Sequence, residues 1–218
     1  MIKGAIFDLD GTLLDTLESI AKSGNEMLCS FGLAPAPVKQ YGVFAGNGAD
    51  VLVERALCYS TDNKLSLLED AKRRYREFFR EFCSYRVKPY EGIVPLLEKL
   101  KEKNIRLAVC TNKPHENAVR LIQEYFGDNV FTAVLGQREG FPKKPDPKGI
   151  FTILSQWDIS PDECVYLGDS DVDMKTGKNA GCLTVGVLWG FRDKEELQAN
   201  GADHVIAHPM DLISLLKG

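Results

Sequence analysis

Four short segments of this 218-residue chain carry the side chains best suited to chemistry. They span residues 8–12, 111–114, 143–147 and 168–173, and they hold carboxylates, a hydroxyl group and lysines. Three of them follow an apolar run that is typical of a buried strand, and the third in order precedes a helix-like segment. Because ligands of open parallel sheets bind beyond the carboxyl ends of the strands, we expect these segments to meet in one site.

Carboxylates that meet in one site repel each other unless a cation lies among them. Asp8 and Asp169 are the candidate side-chain ligands of such a cation. Their oxygen atoms favour a hard ion such as Mg²⁺, which prefers a few carboxylates together with water and a substrate phosphate. A single acidic run is more often a loop turn or a helix cap, but four such segments together make that alternative the weaker one.

The apolar pattern predicts the elements that position these segments. From residue 92 onward, unalternated apolar runs alternate with amphipathic segments at helical spacing. The predicted strands after that point are 105–110, 130–135, 164–167, 183–188 and 204–206. This alternation predicts an α/β fold with a parallel sheet covered by helices on both faces.

Residues 38–85 differ from the rest because they contain no good strand. Leu68, Ala71, Tyr75 and Phe79 belong to an apolar stripe at helical spacing, with charged residues between them. We therefore predict an all-helical unit inserted after the first strand. Its boundaries are about 15–85, which leaves 1–14 and 86–218 for the α/β core.

Composition excludes several classes of function. The formal net charge is −4 and no block is strongly basic, whereas binding a nucleic-acid backbone needs a positive surface. No stretch approaches the ~18 consecutive apolar residues of a membrane span, and the N-terminus lacks a signal-peptide pattern. The six cysteines are scattered without a CxxC pair, so we expect reduced thiols and a cytoplasmic protein.

Four motifs carry a family resemblance. DLDGTLLDT at 8–16, VCTNKP at 109–114, KPDP at 144–147 and GDSDVD at 168–173 resemble, in order, the signature motifs of the haloacid-dehalogenase-like (HAD) phosphohydrolases. FAGNGADVLVERAL and GVLWGFRDKEEL, the latter followed by GADHVI, are similar to the phosphoglycolate phosphatases of that superfamily. The resemblance covers essentially the whole chain and implies a Rossmann-like core with a helical cap inserted after the first strand.

The resemblance implies a magnesium-dependent phosphatase. Asp8 would attack phosphorus and form an aspartyl-phosphate. Asp10 would protonate the departing alkoxide and then deprotonate the attacking water, a double role that requires a raised pKa. In this family the backbone carbonyl of the residue at the position of Asp10 also binds the metal.

The same resemblance assigns the phosphate contacts. Thr111 would donate a hydrogen bond to a phosphate oxygen, and the amide of Asn112, near the start of a helix, could add a second donor. Lys144 would neutralise the phosphate and the nucleophile. We prefer Lys144 to its neighbour Lys143 because it begins the KPxP pattern.

Supporting roles follow for three residues of the fourth motif and for one loop. Asp169 would bind Mg²⁺, and Asp173, helped by Ser170, would hold Lys144 or a metal-bound water. In the predicted cap, Gly46 and Asn47 belong to a flexible loop that could approach the substrate closely, although an ordinary turn is a plausible alternative.

The sequence does not determine the substrate. We expect 2-phosphoglycolate first, then pyrophosphate, nucleotides and sugar phosphates. A phosphosugar mutase would keep Asp10, but residues 18–28 lack the histidine and aromatic signature of that class. A catalytically silent regulatory protein is the remaining alternative, which the intact motif set disfavours. The expected partner is a small phosphorylated metabolite, with no nucleic acid or membrane, for a monomer or homodimer.

Overall fold

A parallel sheet forms the centre of the computed structural model, which describes residues 1–62 and 64–216. The strands assigned in this part of the chain are β1 (Gly4–Phe7), β2 (Leu14–Asp15), β3 (Lys88–Pro89), β4 (Arg106–Pro114), β5 (Ala133–Gln137), β6 (Cys164–Gly168), β7 (Leu183–Val187) and β8 (His204–Ile206). The central sheet has the order β5-β4-β1-β6-β7-β8, and its neighbouring strands are parallel. The predicted α/β class is therefore confirmed.

Helices cover this sheet on both faces. They are α1 (Leu17–Cys29), α2 (Val38–Phe44), α3 (Ala49–Ser60), α4 (Lys64–Phe82), α5 (Ile93–Glu102), α6 (His115–Phe126), α7 (Lys148–Trp157), α8 (Asp171–Ala180), α9 (Lys194–Ala199) and α10 (Asp211–Leu215), with a 3₁₀ turn at Pro161–Glu163. Ala5 and Phe7 pack on the face covered by α5, α6 and α10, whereas Ile6 packs against α7. The two-residue period of a strand explains this division, and burial of both faces explains the unalternated apolar runs.

The chain between β1 and β3 forms a helical unit with its own apolar cluster. Helices α1 to α4 bury Met27, Tyr41, Leu57 and Phe79 among themselves. The unit joins the sheet through β2 and β3, which pair antiparallel, with Leu14 opposite Pro89. This arrangement agrees with the predicted insert, while its exact boundaries at 15 and 85 stay a prediction.

Two observed strands, β4 and β5, differ from their predicted limits by more than one residue. β4 continues past residue 110 to Pro114, because after an irregular stretch Pro114 pairs again with Gln137 of β5. β5 begins at Ala133 rather than at 130, since Phe131 packs into the core instead, with its ring edge-on to Phe7 and Phe126. Apolar residues that fill a core next to a strand cannot be told from the strand by pattern alone.

Gly177 offers a test of the packing between α8 and β7. A Cβ atom there would collide with the Thr184 side chain, whereas at Gly42 of α2 it would meet nothing closer than 3.7 Å. We expect Gly177→Ala to lower the free energy of unfolding by about 1–3 kcal/mol through overpacking. Gly42→Ala, the matched control, should be neutral or raise it by up to about 1 kcal/mol.

Urea unfolding of both variants measures this difference. Equal stabilities of the two variants would contradict the close packing of α8 on β7.

Candidate functional site

The order of the strands brings the predicted site residues together. β1 lies between β4 and β6, so the carboxyl ends of all three strands are neighbours. Asp8 follows β1 directly, Thr111 lies in the last part of β4, and Asp169 follows β6. All three side chains are buried and line one cavity between the sheet edge and the helical unit. The expectation that the motifs meet at one sheet edge is met for these residues.

Lys144 is the buried cation of the site. Its Nζ lies 2.9 Å from Asp8 Oδ1 and 2.6 Å from Asp173 Oδ1, and it donates a hydrogen bond of 3.1 Å to the Tyr166 hydroxyl. Burial acts to lower the pKa of Lys144, but the charges of Asp173 and Asp8 outweigh it and raise that pKa. Lys144 is therefore a permanent positive charge beside Asp8. The neighbouring Lys143 is exposed, which favours Lys144 for the predicted role.

Three buried carboxylates surround this lysine. Asp8, Asp169 and Asp173 each offer an oxygen within 4.8 Å of the others. Burial and then the charge of Asp173 raise the pKa of the Asp8 carboxyl from 3.8 to about 6, although Lys144 opposes the shift. Burial, followed by the charges of Asp173 and Asp8, raises the pKa of Asp169 well above its ordinary value. One lysine does not balance three carboxylates.

The donor set of this cluster fits a hard cation. Asp8 Oδ1 is buried and accepts no hydrogen bond from the described residues, since its contact with Lys144 is an ion pair without hydrogen-bond geometry. Oxygen ligands at such spacing suit Mg²⁺ better than a softer metal. Asp8 and Asp169 thus lie close enough to share one cation, while their role as metal ligands stays a prediction. The expected contribution of the Asp10 backbone carbonyl stays a prediction.

The backbone around Asp169 explains two glycines of the motifs. A Cβ atom at Gly11 or at Gly190 would collide with the Asp169 side chain. The Phe191 backbone N–H donates a 2.7 Å hydrogen bond to Asp169 Oδ2. The carboxylate is therefore packed against main chain from two distant segments and held by the Phe191 N–H.

Ser170 and Asp173 have a shared structural task at the start of α8. Ser170 caps the helix, and its hydroxyl lies 2.5 Å from Asp173 Oδ2, which also accepts the Ser170 backbone N–H at 3.1 Å. This reciprocal capping fixes the Asp173 carboxylate so that its other oxygen faces Lys144. The predicted support of Lys144 by Asp173 and Ser170 agrees with this geometry.

Asn112 lines the cavity and uses its side chain to join segments of the backbone, and the predicted phosphate contact of its amide stays a prediction. Its side-chain amide donates to the backbone oxygens of Gly46 and Lys144, both at 3.1 Å, and its Oδ1 accepts the Lys144 N–H at 2.9 Å. It also lies within β4, three residues before α6 begins. The side-chain amide is therefore occupied in joining three segments, and it positions Lys144 instead of pointing at an anion. Thr111 keeps its predicted place on the cavity wall.

The cap loop, residues 45–48 between α2 and α3, has side chains on two sides of the helical unit. Gly46 and Gly48, with φ of 107° and 89°, line the cavity, and the left-handed backbone at both positions favours glycine. Asn47 does not lie where the sequence predicted, in contact with the substrate. Its Oδ1 accepts a 2.8 Å hydrogen bond from Arg55, and it lines a separate surface groove. Asn47 therefore faces away from the cavity, although its two glycine neighbours line it.

Lys113 is a site residue that the sequence analysis overlooked. Its side chain is 1% exposed, and its Nζ lies 2.8 Å from Asp10 Oδ1 and 4.6 Å from the centre of the Phe79 ring. The strand pattern gave no signal for its direction, because the predicted strand ended at residue 110 and the stretch up to Pro114 is irregular. Its position in the second motif had been quoted without a role.

Arg192 is a second overlooked residue, and it joins the core to the cap. Its guanidinium donates to the backbone oxygens of Gly42 and Ala45, the latter at 3.1 Å, and pairs with Glu196 at 3.0 Å. It follows Phe191, whose N–H holds Asp169. One short segment therefore contacts both the acidic cluster and the cap loop. Its segment, GVLWGFRDKEEL, had been quoted for the family resemblance without a role for the arginine.

The helical unit closes the cavity with an apolar roof. Ile20, Leu52, Tyr75 and Phe79 face the sheet edge across the cavity. A phosphate held beside Thr111 and Lys144 would therefore lie under apolar side chains, with little access for water. No helix among residues 1–62 and 64–216 combines the length and the apolar character needed to cross a membrane.

Known proteins resemble this chain along its whole length. A family model described as haloacid dehalogenase-like hydrolase matches residues 5–187. Phosphoglycolate phosphatase of Vibrio parahaemolyticus is 31% identical over 220 residues, which cover 99% of this chain and 96% of that protein. The phosphoglycolate phosphatase of Pasteurella multocida is also 31% identical, over 97% of this chain and 96% of its own length.

Solved structures agree with these relatives. A structure from Lactobacillus delbrueckii matches with a TM-score of 0.91 at 29% identity and covers 98% of both chains. CbbY from Rhodobacter sphaeroides, solved in complex with phosphate, matches with a TM-score of 0.79 at 25% identity and covers 97% of this chain and 96% of its own.

The acidic cluster predicts how the protein responds to a divalent cation. We expect Mg²⁺ at a hundred times its dissociation constant to raise the free energy of unfolding by about 2.7 kcal/mol, because it binds the folded state. Asp169→Asn should raise the melting temperature without Mg²⁺, since it removes a repelling charge, and should reduce the gain from Mg²⁺.

Thermal melts with and without Mg²⁺ measure both effects. Asp171→Asn is the matched control, because Asp171 lies two positions away but is paired with Lys175 at the surface. A gain from Mg²⁺ that is the same in both variants would show that the cluster is not the metal site.

Proposed function

The chain belongs to the haloacid dehalogenase-like hydrolase family and is a phosphatase, and we propose that it hydrolyses 2-phosphoglycolate through an aspartyl-phosphate on Asp8. The observation that carries this mechanism is the environment of Asp8. Its carboxylate lies at the end of β1, 2.9 Å from Lys144 Nζ, and Oδ1 accepts no hydrogen bond from the described residues. The Asp8 side chain also lines the cavity, so its carboxylate can reach a phosphoryl group bound there.

The first half of the proposed reaction transfers the phosphoryl group. An oxygen of Asp8 forms a bond to phosphorus as the bond from phosphorus to the ester oxygen breaks. Asp10 gives its proton to the departing oxygen, so that glycolate leaves as an alcohol. Lys144 and the Thr111 hydroxyl stabilise the charge on the transferring phosphoryl oxygens, because Thr111 lines the cavity beside Asp8 and the Lys144 Nζ lies 2.9 Å from Asp8 Oδ1.

The second half restores the enzyme. Asp10, now ionised, removes a proton from a water that attacks the phosphorus of the aspartyl-phosphate. The bond between Asp8 and phosphorus breaks, inorganic phosphate leaves, and Asp10 is again protonated. Lys113 lies 2.8 Å from the Asp10 carboxylate and holds it in the cavity through both halves.

In this scheme Mg²⁺ would be bound beside the nucleophile. Mg²⁺ held by Asp8, Asp169 and the backbone carbonyl of Asp10 would offset the repulsion between the attacking carboxylate and the phosphate. Asp173 is oriented by Ser170 and keeps Lys144 beside Asp8.

The choice of substrate rests on the relatives and on the cavity. The proteins of Vibrio parahaemolyticus and Pasteurella multocida are named phosphoglycolate phosphatases, and this chain matches both over nearly its full length. The apolar roof of Ile20, Leu52, Tyr75 and Phe79 leaves room for a small leaving group. Pyrophosphate, nucleotides and sugar phosphates remain the alternative substrates.

Closure of the cap would exclude water from the phosphoryl transfer. Arg192 is the residue positioned to hold the closed arrangement, because it extends from the core segment beside Asp169 to the cap backbone at Gly42 and Ala45. The cap loop is also held from within the cap by Arg55, which donates to Phe44 O at 3.0 Å.

The nucleophile assignment predicts the loss of turnover on Asp8→Asn. We expect phosphate release from 2-phosphoglycolate to fall by a factor on the order of 10³ or more, because an amide cannot form the intermediate. The fold should be retained, since the substitution removes a buried charge.

The measurement is phosphate release with Mg²⁺ from 2-phosphoglycolate, beside sugar phosphates, nucleotides, pyrophosphate and an aryl phosphate. Asp171→Asn, at the surface, is the matched control. Full activity of the Asp8→Asn protein would contradict the mechanism, and preference for another panel member would replace the proposed substrate.

The cap contact predicts a defect for Arg192→Met. We expect kcat/KM to fall about tenfold or more, because a hydrogen bond from a charged donor contributes about 1.5–3 kcal/mol and two such bonds hold the cap closed. Arg55→Met is the matched control, since Arg55 contacts the same loop from within the cap. Steady-state kinetics with both variants would refute the closing role if their losses were equal.

A further inference from the structure

Lys113 carries a positive charge that the phosphatase mechanism leaves partly unused. Its side chain is 1% exposed, and among the described residues its ammonium donates to Asp10 Oδ1 at 2.8 Å and lies 4.6 Å from the centre of the Phe79 ring. Because a lysine ammonium has three N–H donors, it can donate to a further acceptor in the cavity that Lys113 lines. Burial of an ammonium group with one carboxylate partner is costly, and a second anion would stabilise it.

Arg192 and Lys144, two other cations of the site, already have partners within the protein. Among the described residues that line it, the basic side chains are Lys113 and Arg192. The Arg192 guanidinium is bonded to Glu196 and to the backbone oxygens of Gly42 and Ala45. Lys144 is held between Asp8 and Asp173 at the phosphate end. Lys113 is therefore the cation that can meet a further negative group on a substrate.

The position of Lys113 defines where that group would be. Asp10 is the proton donor to the ester oxygen, and the Lys113 ammonium lies 2.8 Å from its carboxylate. A substrate group one carbon away from the ester oxygen would lie within reach of the same ammonium. The side facing the cap consists of apolar residues such as Leu52 and Phe79, where an unpaired carboxylate would be strongly disfavoured.

We infer that Lys113 is the specificity-determining residue of this site, and that it binds a substrate carboxylate one carbon from the phosphate ester oxygen. This inference rests on the proposed function and deepens it, because it defines the substrate class as 2-phosphorylated carboxylic acids. The ammonium bridges Asp10 and the substrate carboxylate. Phosphate esters without that carboxylate leave the ammonium short of a partner and bind less well.

The test compares two substrates of the same skeleton. The first is 2-phosphoglycolate, and the second is 2-hydroxyethyl phosphate, in which an alcohol replaces the carboxylate. We expect the wild-type protein to prefer the first in kcat/KM, and Lys113→Met to lower that preference by about tenfold or more, chiefly through KM. Lys113→Gln, which keeps an N–H donor for Asp10, should lose the preference to a similar extent.

The control is Lys143→Met. Lys143 is the exposed lysine beside the cap loop, outside the residues that line the cavity, so its loss should keep the wild-type preference. A Lys113→Met protein that loses activity equally on both substrates would overturn the inference, because Lys113 would then merely orient Asp10. An equal wild-type rate on both substrates would overturn it as well.

A binding measurement separates this inference from the proposed reaction. Calorimetry with the Asp8→Asn protein reports affinity for both compounds without turnover. There too, adding Lys113→Met should weaken binding of 2-phosphoglycolate about tenfold more than binding of 2-hydroxyethyl phosphate. If the wild type released no phosphate but this difference persisted, the proposed reaction would fail while the carboxylate site stood. Absence of the difference overturns the site, whatever the wild type hydrolyses.

Discussion

The repulsion among three buried carboxylates is the constraint around which the site is organised. Asp8, Asp169 and Asp173 bring oxygens within 4.8 Å of one another, and among the described residues Lys144 is the lysine that contacts two of them. Left to themselves, buried like charges take up protons or move apart. This protein prevents the carboxylates from moving apart by fixing each of them. The excess negative charge that remains favours the binding of a cation.

Each carboxylate is fixed by a different local device. Asp8 is carried on the end of the central strand, where its N–H donates to Leu167 O at 2.9 Å. Asp169 is gripped by the main chain at Gly11, Gly190 and Phe191. Asp173 is tied down by helix capping. Gly11 and Gly190 are thus explained by their close packing against the Asp169 carboxylate. The parallel sheet supplies the rigid frame that positions all three carboxylates.

The same geometry couples the chemistry to the cap. The segment that holds Asp169 continues into Arg192, which reaches the cap loop, and Asn112 connects the cap backbone at Gly46 to Lys144. These contacts connect the cap to Asp169 and to Lys144. Lys113 lies between the Asp10 carboxylate and the Phe79 ring of the cap roof, so it too joins the core to the cap.

Much of this protein could be predicted from local pattern. Apolar runs and helical spacing were sufficient for the α/β class, for the helical insert and for β8, whose limits match the prediction, because these signals depend on neighbours in sequence. The four motifs identified Asp8, Thr111, Lys144 and Asp169, whose residue types are required by their chemistry. Tertiary structure decided what depends on neighbours distant along the chain. It turned Asn47 outward, occupied the Asn112 amide with backbone, and brought Lys113 to Asp10 and Arg192 to the cap, since a side chain's partner is set by packing and not by its own motif.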